Sequence, residues 1–442
     1  MTFFLTSVFI ILVFWRPQEW LVPWLFGVPL LNGVIGIALL TFLMEKDQGT
    51  LRIPPRAPQI PLLMGLWIAT ILSHVAHMYF AGMMATIPDT FKICFFTLLL
   101  FCVLDQPKRL RVVAVIFVLL SCIMAVHAIM QQKLGYGFAG LEPILQLRPV
   151  SLGSDIEELV WRSYFFGIFS DPNDLAQILA TSIPLAFVIT RKSSFISFVL
   201  GCAITYLLIL GIMATQSRGG YVALAGVSAV MVILILPPRW MPVLVTCMLA
   251  CALPLMMLIG TLDESAHDRV VFWGEANYAF KRSPLNFLFG VGYGMFSEVT
   301  NDRAAHNAFV ACYTELGIIG YWFWFALIYA GYAGTWRARL ALAEAKTEDE
   351  KWLRKFAGFG LAAITGFLAS SYFLSRTFIY PLFFLIAILG AIPFVAERML
   401  PDDHPPLAKT IGDIWVGGSI ITLISIVYIY ISIILLNKAF YG

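Results

Sequence analysis

The stretch FISFVLGCAITYLLILGIMAT, residues 195–215, decides the fold class of this chain because it contains no charged side chain. About 20 consecutive apolar residues are enough for an α-helix to cross a bilayer, so this stretch alone can span one. Other apolar blocks of comparable character follow one another along the 442 residues. They lie at about 2–15, 21–44, 61–82, 91–104, 112–131, 164–190, 221–237, 241–260, 306–334, 357–375, 377–396 and 415–437.

The composition supports the same fold class. Hydrophobic residues make up 60% of the chain and charged residues 12%, about half the charged share of a soluble protein. The apolar blocks are continuous and do not alternate with polar residues, which argues against transmembrane β-strands. We therefore predict an all-α, polytopic integral membrane protein with about 12–13 transmembrane helices, in which residues 1–442 form a single transmembrane domain. Block 2–15 has no preceding Lys or Arg and no cleavage site after it, and is expected to be a retained first span.

Charge and cysteine usage exclude several classes of protein. The net charge of +3 is too small and too dispersed to indicate a nucleic-acid partner. No CxxC pair occurs, so neither a disulfide framework nor a metal knuckle is expected. No acidic cluster accompanies the histidines of the spans, so we expect no metal site. The cysteines, all in or beside apolar blocks, are Cys94, Cys102, Cys122, Cys202, Cys247, Cys251 and Cys312.

The distribution of Lys and Arg predicts the topology, because these residues favour cytoplasmic loops. Six of them cluster at 335–356. The predicted cytoplasmic connections are 45–60, 105–111, 191–194, 238–240, 335–356 and 397–414. Two longer connections, 132–163 and 261–305, then lie on the extracytoplasmic side. Neither is long enough to bury a core of its own, so we expect both to pack over the membrane domain as a cap.

Four of the arginines on the predicted outer side lie beside spans or in short turns, against the bias toward the cytoplasm: Arg162, Arg218, Arg269 and Arg376. A single arginine at a membrane edge usually anchors the chain to lipid headgroups. Four on one side favour an anion site, since the guanidinium fork suits phosphate oxygens. Arg218 lies in Gln-Ser-Arg-Gly-Gly, where glycines allow a tight turn and close approach to a ligand.

Other polar residues beside the spans are candidates for the same site. His306 opens an apolar block on the predicted outer side and suits a general base or a polar orienter. Its alternative role is a helix cap or an interfacial group. Asn307 and Glu315 are candidates for support, and Glu315 lies about two and a half helical turns further along, so it need not touch His306. Asp171 and Asn173 either cap a helix or bind sugar hydroxyls near the outer cleft.

The run Gly290-Val291-Gly292-Tyr293-Gly294 contains the Val-Gly-Tyr-Gly of a potassium-channel filter. The preceding Thr is missing, and the run lies in a charged loop and not between two spans, which argues against a channel. The glycines are expected to shape a tight outer loop.

Taken together, these motifs resemble the signature of the O-antigen ligase/polymerase family. The resemblance covers about residues 160–335, and the remainder matches as multi-span scaffold. The loop at 261–305 is compact beside those of many members. The segments that carry the resemblance are Ser217-Arg218-Gly219-Gly220, Arg269-x3-Trp273, Ser283-Pro284-Leu285-Asn286-Phe287-Leu288-Phe289-Gly290-Val291-Gly292-Tyr293-Gly294-Met295-Phe296, His306-Asn307-x-Phe309 and Glu315-x-Gly317-x2-Gly320.

The resemblance implies glycan transfer on the periplasmic face of the bacterial inner membrane. The donor would be a glycan on undecaprenyl diphosphate, the acceptor lipid A–core or another glycan, and neither a metal nor a cofactor would be required. By resemblance, Arg218 and Arg269 would bind the diphosphate and His306 would activate or orient the acceptor hydroxyl. Substrate binding is further expected of Arg162, Asp171, Asn173, Asn307, Glu315 and Arg376.

Several alternatives remain open. Ligation onto lipid A–core, polymerisation of repeat units and transfer to a protein hydroxyl would use the same residues, and the sequence does not separate them. Only the name of the family that the motifs resemble gives a slight preference for ligation. A secondary transporter is the rival from another class. A transporter should place ionisable groups or broken helices near the bilayer midplane, paired between two halves. The charged candidates here gather at one membrane face, which favours an enzyme at the interface.

Overall fold

The computed structural model describes residues 1–25, 27–51, 53–54, 56–149, 157–235, 264–300, 302–374 and 376–441. The described chain is predominantly helical, and every predicted apolar block within it contains or overlaps a helix. The block predicted at 241–260 lies outside the described residues. The helices are α1 (Thr2–Phe14), α2 (Pro17–Trp20), α3 (Leu30–Asp47), α4 (Gln59–Val75), α5 (Phe80–Val103), α6 (Pro107–Leu134), α7 (Pro172–Ala186), α8 (Phe195–Thr215), α9 (Arg218–Ile235), α10 (Glu264–Lys281), α11 (Pro284–Phe289), α12 (Ala308–Ala341), α13 (Glu348–Ser371), α14 (Tyr380–Glu397) and α15 (Ile411–Tyr441).

Within the described residues, 6 helices are long and apolar enough to cross a membrane. They are Phe80–Val103, Pro107–Leu134, Phe195–Thr215, Ala308–Glu344, Tyr380–Glu397 and Ile411–Leu436, and α1, α4 and α9 are shorter apolar helices. The predicted helical, multi-pass membrane fold is therefore confirmed, whereas the total of 12–13 spans stays a prediction. Two predicted spans are weaker than expected: α7 has only 15 residues, and α13 begins with charged residues at Glu348, Asp349 and Glu350.

The core of the bundle forms around α14. In its most apolar window 89% of the residues are buried, against 28% in α8 and α15, so α14 is central and the other two are peripheral. Helix α14 packs against α5, α12 and α13. Aromatic rings fill the interface with α6, where Phe117 stacks on Phe384 with 4.6 Å between ring centroids. Such apolar packing determines which helices lie inside the bundle and thereby where its polar ends meet.

The described connections group at two ends of the bundle, and the side of the membrane on which each end lies stays a prediction. At one end, Arg398 donates to the Asp105 carbonyl at 2.7 Å, and Arg191 pairs with Asp349 at 2.7 Å. These residues come from connections that the sequence assigns to one side. At the other end lie the starts of α7, α9 and α12 and the ends of α8 and α13. We call this second end the arginine end, because the predicted arginines lie there.

The described residues of the two long connections contact the bundle. The first contains an antiparallel hairpin of β1 (Ile144–Pro149) and β2 (Glu157–Arg162), with Ile144 opposite Arg162, and β2 contacts α8. The second contains α10, which contacts α12 and α15, and α11, which contacts α4 and α12. Trp273 of α10 is buried and donates from Nε1 to the Ala305 carbonyl at 2.6 Å, which holds the end of this connection at the start of α12.

Candidate functional site

The turn between α8 and α9 presents Arg218 at the arginine end. Gln216 ends α8 in the left-handed region, with φ 50°, and this reverses the chain so that α9 begins at Arg218. Ser217 is buried and its hydroxyl accepts from the Gly220 amide at 3.1 Å, which closes the first turn of α9. A Cβ at Gly220 would come within 2.5 Å of the Ala176 methyl, so glycine lets α9 approach α7 closely. Arg218 itself is exposed at the surface of this turn.

Asn173 connects this turn to Arg162. Its Oδ1 accepts from the Ser217 hydroxyl at 2.7 Å and from Arg162 Nη2 at 3.0 Å. Arg162 also donates from Nε to the Thr215 carbonyl at 3.3 Å. One amide oxygen therefore links β2, the first turn of α7 and the α8–α9 turn. Asn173 therefore holds Arg162 and Ser217 together, and its predicted binding of substrate stays a prediction.

The first turn of α7 uses its two aspartates differently. Asp171 caps the helix by accepting from the Asn173 amide at 2.7 Å, which is the capping alternative that the sequence left open. Asp174 is buried and accepts from Arg376 at 3.0, 2.9 and 2.5 Å. This pair joins the start of α7 to the turn between α13 and α14. Asp174 is not among the site residues predicted from the sequence, although a carboxylate within an apolar block is a signal that marks such a residue.

The segment before α12 holds His306 in an unusual conformation. Its φ is 45°, in the left-handed region that non-glycine residues rarely adopt. Asn307 caps α12, accepting from the amides of Phe309 and Val310 at 3.0 and 3.1 Å, so the cap is Asn307 and not His306. The Thr377 hydroxyl donates to the Ala308 carbonyl at 3.0 Å. Contacts on both sides of His306 therefore impose its backbone, and such imposed strain is typical of functional sites.

The charges around His306 favour its neutral form. The side chain is half-buried, and burial lowers its pKa below the usual value of 6.5. The positive charge of Arg269 lowers the pKa further, and the negative charge of Asp171 raises it in part. The structure thus brings Arg269 and Asp171 within electrostatic range of His306. A neutral imidazole beside a guanidinium can accept a proton while the arginine holds an anion.

A cavity of 320 Å³ extends from this region toward Glu315. Its polar wall contains Glu315, Arg303, Arg376 and Thr377. Glu315 and Arg376 therefore line one cavity, and the role predicted for Glu315 stays a prediction. The cavity has the size of a small ligand pocket and carries groups that bind hydroxyls and anions.

The glycine-rich run forms the tight loop that the sequence predicts. Gly290, Gly292 and Gly294 all have positive φ, at 77°, 118° and 73°. The loop crosses α12 where that helix is interrupted at Gly317, whose φ is 64°. Val291 donates to the Thr314 carbonyl at 2.8 Å, and Gly292 donates to the Glu315 carbonyl at 3.1 Å. These hydrogen bonds satisfy carbonyls that the interrupted helix leaves without their usual partners.

The predicted residues fall into connected groups. Arg162 and Asn173 are joined to the turn that carries Arg218 through Ser217. The charges of Arg269 and Asp171 both act on His306. Arg376 pairs with Asp174 and also lines the cavity that contains Glu315. Among the residues that the structure describes, no three His, Cys, Asp or Glu side chains converge to hold a metal ion. The available ligand-binding groups are guanidinium forks, one imidazole and amide and hydroxyl groups, a set suited to a phosphorylated, hydroxyl-rich ligand.

These features define a class: a multi-pass helical membrane protein with a cationic, histidine-containing site at one end of its bundle. Residues 203–325 match the family model described as O-antigen ligase. The match includes Arg218, Arg269, His306 and Glu315 and confirms the resemblance that the motifs carry. No curated protein matches the chain. The family supports a glycan ligase or polymerase type of function that uses a lipid-linked donor and a glycan acceptor.

Proposed function

We propose that this protein is a metal-independent, inverting glycosyltransferase that moves a glycan from undecaprenyl diphosphate to lipid A–core on the periplasmic face of the inner membrane. The observation that supports it best is that His306 lies within electrostatic range of Arg269 and Asp171 at the arginine end. A cation for the leaving group and a neutral base for the acceptor are the two groups that glycan transfer from a diphosphate requires.

The donor half of the site uses the arginines. As the bond between the anomeric carbon and the diphosphate oxygen breaks, the electron pair remains on that oxygen and its negative charge increases. Arg218 and Arg269 stabilise this charge with guanidinium donors, which bind two phosphate oxygens at once. Arg162 is fixed beside Arg218 through Asn173 and Ser217, and adds a further cation at the arginine end.

The acceptor half of the site uses His306. The acceptor hydroxyl loses its proton to the imidazole as its oxygen bonds to the anomeric carbon, so the proton is on His306 when the diphosphate leaves. A single displacement of this kind inverts the anomeric configuration. Glu315, with Arg376, binds hydroxyls of the acceptor glycan in the cavity of 320 Å³. In this arrangement, the connections 132–163 and 261–305 cover the site of a single transmembrane domain.

Three acceptors are compatible with the same chemistry. Polymerisation of repeat units and transfer to a protein hydroxyl differ from ligation only in which hydroxyl reaches His306. A secondary transporter is disfavoured because the charged groups of the candidate site lie at one end of the bundle. Membrane-midplane sites of transporters require such groups inside the spans.

The test uses the purified protein in detergent with an undecaprenyl-diphosphate glycan, a lipid A–core acceptor and EDTA. A slower-migrating glycolipid is expected from the wild type and absent from His306→Ala, which should still bind the donor. Arg218→Lys keeps the charge but loses the fork, so transfer should fall strongly at normal expression. The matched controls are His404→Ala, in the loop between α14 and α15, and Arg282→Lys, exposed just after α10.

The outcomes separate the alternatives. If glycan chains lengthen on the carrier, the protein is a polymerase and not a ligase, and the proposed site residues keep their roles. Absence of both products in the wild type would contradict the proposed acceptor and favour transport. If donor binding collapses in His306→Ala, His306 belongs to the donor site and is not the base. Near-normal activity of Arg218→Lys would exclude the bidentate diphosphate role.

A further inference from the structure

A second cavity, of 520 Å³, opens at the end of the bundle opposite the arginine end. It lies where α8 and α13 begin and where α7, α9 and α12 end. Each of these helices runs from one end of the bundle to the other, so the length of the bundle separates this cavity from His306. The function proposed above uses none of its lining residues.

The cavity has a cationic wall. Its charged lining residues are Arg339, Lys351, Arg354 and Lys355, and no acidic residue of the described chain lines it. Lys351 pairs with Glu348 at 3.2 Å. In the described ranges, no carboxylate lies within ion-pair distance of the other three. Three positive charges around one cavity repel one another, so an anionic occupant is favoured.

Neutral acceptors hold these cations in place. Arg339 Nη2 donates to the Leu234 carbonyl at 3.0 Å, and Arg354 Nη1 donates to the Ala343 carbonyl at 2.9 Å. A Cβ at Gly358 would come within 3.1 Å of Arg339 Nε, so the guanidinium lies directly across α13 at this glycine. Backbone carbonyls position the guanidiniums but do not neutralise them. The cations are therefore arranged before a ligand arrives, which lowers the entropic cost of binding.

A second wall of the cavity is aromatic and adjoins the cationic one, since Lys355 Nζ lies 5.7 Å from the centroid of the Phe359 ring. The Phe187 ring lies 5.9 Å from the Phe359 ring, with 29° between their planes, and 6.1 Å from the Phe198 ring. Phe198 is 59% exposed and lies near the start of α8, a helix with few buried residues. The aromatic wall therefore leads from the cations to the lipid-facing surface of α8. A free inorganic anion gains nothing from such a wall, whereas the acyl chain of a lipid does.

From these two walls we infer that the cavity binds an anionic phospholipid of the surrounding leaflet. Its phosphate lies among Arg339, Arg354 and Lys355, and its acyl chain runs past Phe187 and Phe359 to Phe198. Lys and Arg groups between helices at a membrane surface bind anionic headgroups in this way. The cavity volume accommodates the headgroup and the first methylenes, and the rest of the chain lies in the bilayer.

The experiment uses the purified full-length protein in detergent with fluorescent phosphatidylglycerol or, as the zwitterionic comparison, phosphatidylcholine. The wild type should prefer phosphatidylglycerol. The variant Arg354→Gln/Lys355→Gln should lose affinity for it by about fivefold for each cation removed. The matched control Arg337→Gln/Lys346→Gln removes the same charge from the same α12–α13 region without touching the cavity wall, and should keep the preference.

Each outcome decides the proposal. If the cavity variant and the control lose the same affinity for phosphatidylglycerol, the effect comes from general surface charge and the proposed site is wrong. If the cavity variant keeps its affinity, the proposed site is also wrong. Full competition by inorganic phosphate would replace the lipid by a free anion. Should the double variant fail to fold, a photoreactive phosphatidylglycerol on the wild type should label peptides containing residues 351–359, and absence of this label would overturn the site.

Discussion

Asp174 and Arg376, 202 residues apart in sequence, form an ion pair in which the arginine donates to both carboxylate oxygens. The aspartate side chain is 1% exposed and the arginine 44%. The pair connects the first turn of α7 to the turn between α13 and α14. The ion pair thus holds the first turn of α7, where Asn173 contacts Ser217, next to the cavity that Glu315 and Arg376 line.

Removing this pair should destabilise the protein. Asp174→Asn leaves the arginine without its carboxylate, and we expect a loss of roughly 1–3 kcal/mol, less than for a fully buried pair because Arg376 is partly solvated. Lys92 and Asp89 form an exposed pair at 3.3 Å and provide the control, since Asp89→Asn should cost about 0–1 kcal/mol. Thermal unfolding in detergent measures both. Equal thermal unfolding midpoints for the two variants would show that the buried pair stabilises the protein no more than the exposed pair does.

Asn173 should act on transfer through Arg162 and Ser217. Asn173→Ala removes the acceptor of both hydrogen bonds, so kcat/KM should fall by about 10-fold or more, at roughly 1 kcal/mol for each bond. Asn173→Asp keeps an acceptor oxygen and should restore most of the activity, which a merely structural defect would not allow. Ser217→Ala removes one bond and should have an intermediate effect. If the Asp variant is as impaired as the Ala variant, the positioning role is wrong.

The acid limb of the pH profile should report His306. Burial and Arg269 lower the pKa of His306, so the neutral base persists below pH 6.5 and kcat/KM should fall with a midpoint under that value. Asp171 raises this pKa, and Asp171→Asn should therefore move the midpoint to lower pH while retaining the helix cap. Asp403→Asn, in the loop between α14 and α15, should leave it unchanged. A midpoint above 6.5, or an upward shift with Asp171→Asn, would contradict this assignment.

The same shift predicts how stability depends on pH. Because the pKa of His306 is lower in the folded state, the unfolded chain binds more protons below pH 6.5. The contribution of His306 to the free energy of unfolding is therefore fully present above pH 6.5. It is lost as the pH falls from there through the lower pKa of the folded state. His306→Gln should remove this part of the dependence, measured as the unfolding midpoint against pH. An unchanged slope between wild type and variant would exclude the linkage.

Two glycines of the same loop should differ in their tolerance of alanine. Both Gly290 and Gly294 have positive φ, but a Cβ at Gly290 would collide with the Glu315 carbonyl group, whereas Gly294 has open space. Gly294→Ala should cost only the conformational strain, roughly 1 kcal/mol. Gly290→Ala must also displace the backbone of α12 and should cost well over ~2 kcal/mol. Similar unfolding midpoints for the two variants would mean that the loop does not press on α12.

Much of the site was predictable from residue chemistry. Arg218, Arg269 and His306 could be singled out because charged groups at membrane edges are costly and so need a reason. Their partners could not be inferred in the same way. Asn173 looked like a turn residue or a sugar ligand, and its link between Arg162 and Ser217 depends on how α7 packs against α9. The role of Asp174 could not be predicted because its partner, Arg376, is 202 residues away in the sequence.

Hydrophobicity by itself determined that this chain forms membrane helices, since no water in the bilayer is available to hydrogen-bond an unfolded backbone. The left-handed glycines of 290–294 likewise follow from local chemistry. Only the tertiary structure decided that His306 lies in the electrostatic range of both Arg269 and Asp171, and that Arg339, Arg354 and Lys355 surround a cavity with an aromatic wall. Periodicity and hydropathy depend on neighbours along the chain, whereas these groupings depend on which helix faces meet, and that is decided by packing over the whole bundle.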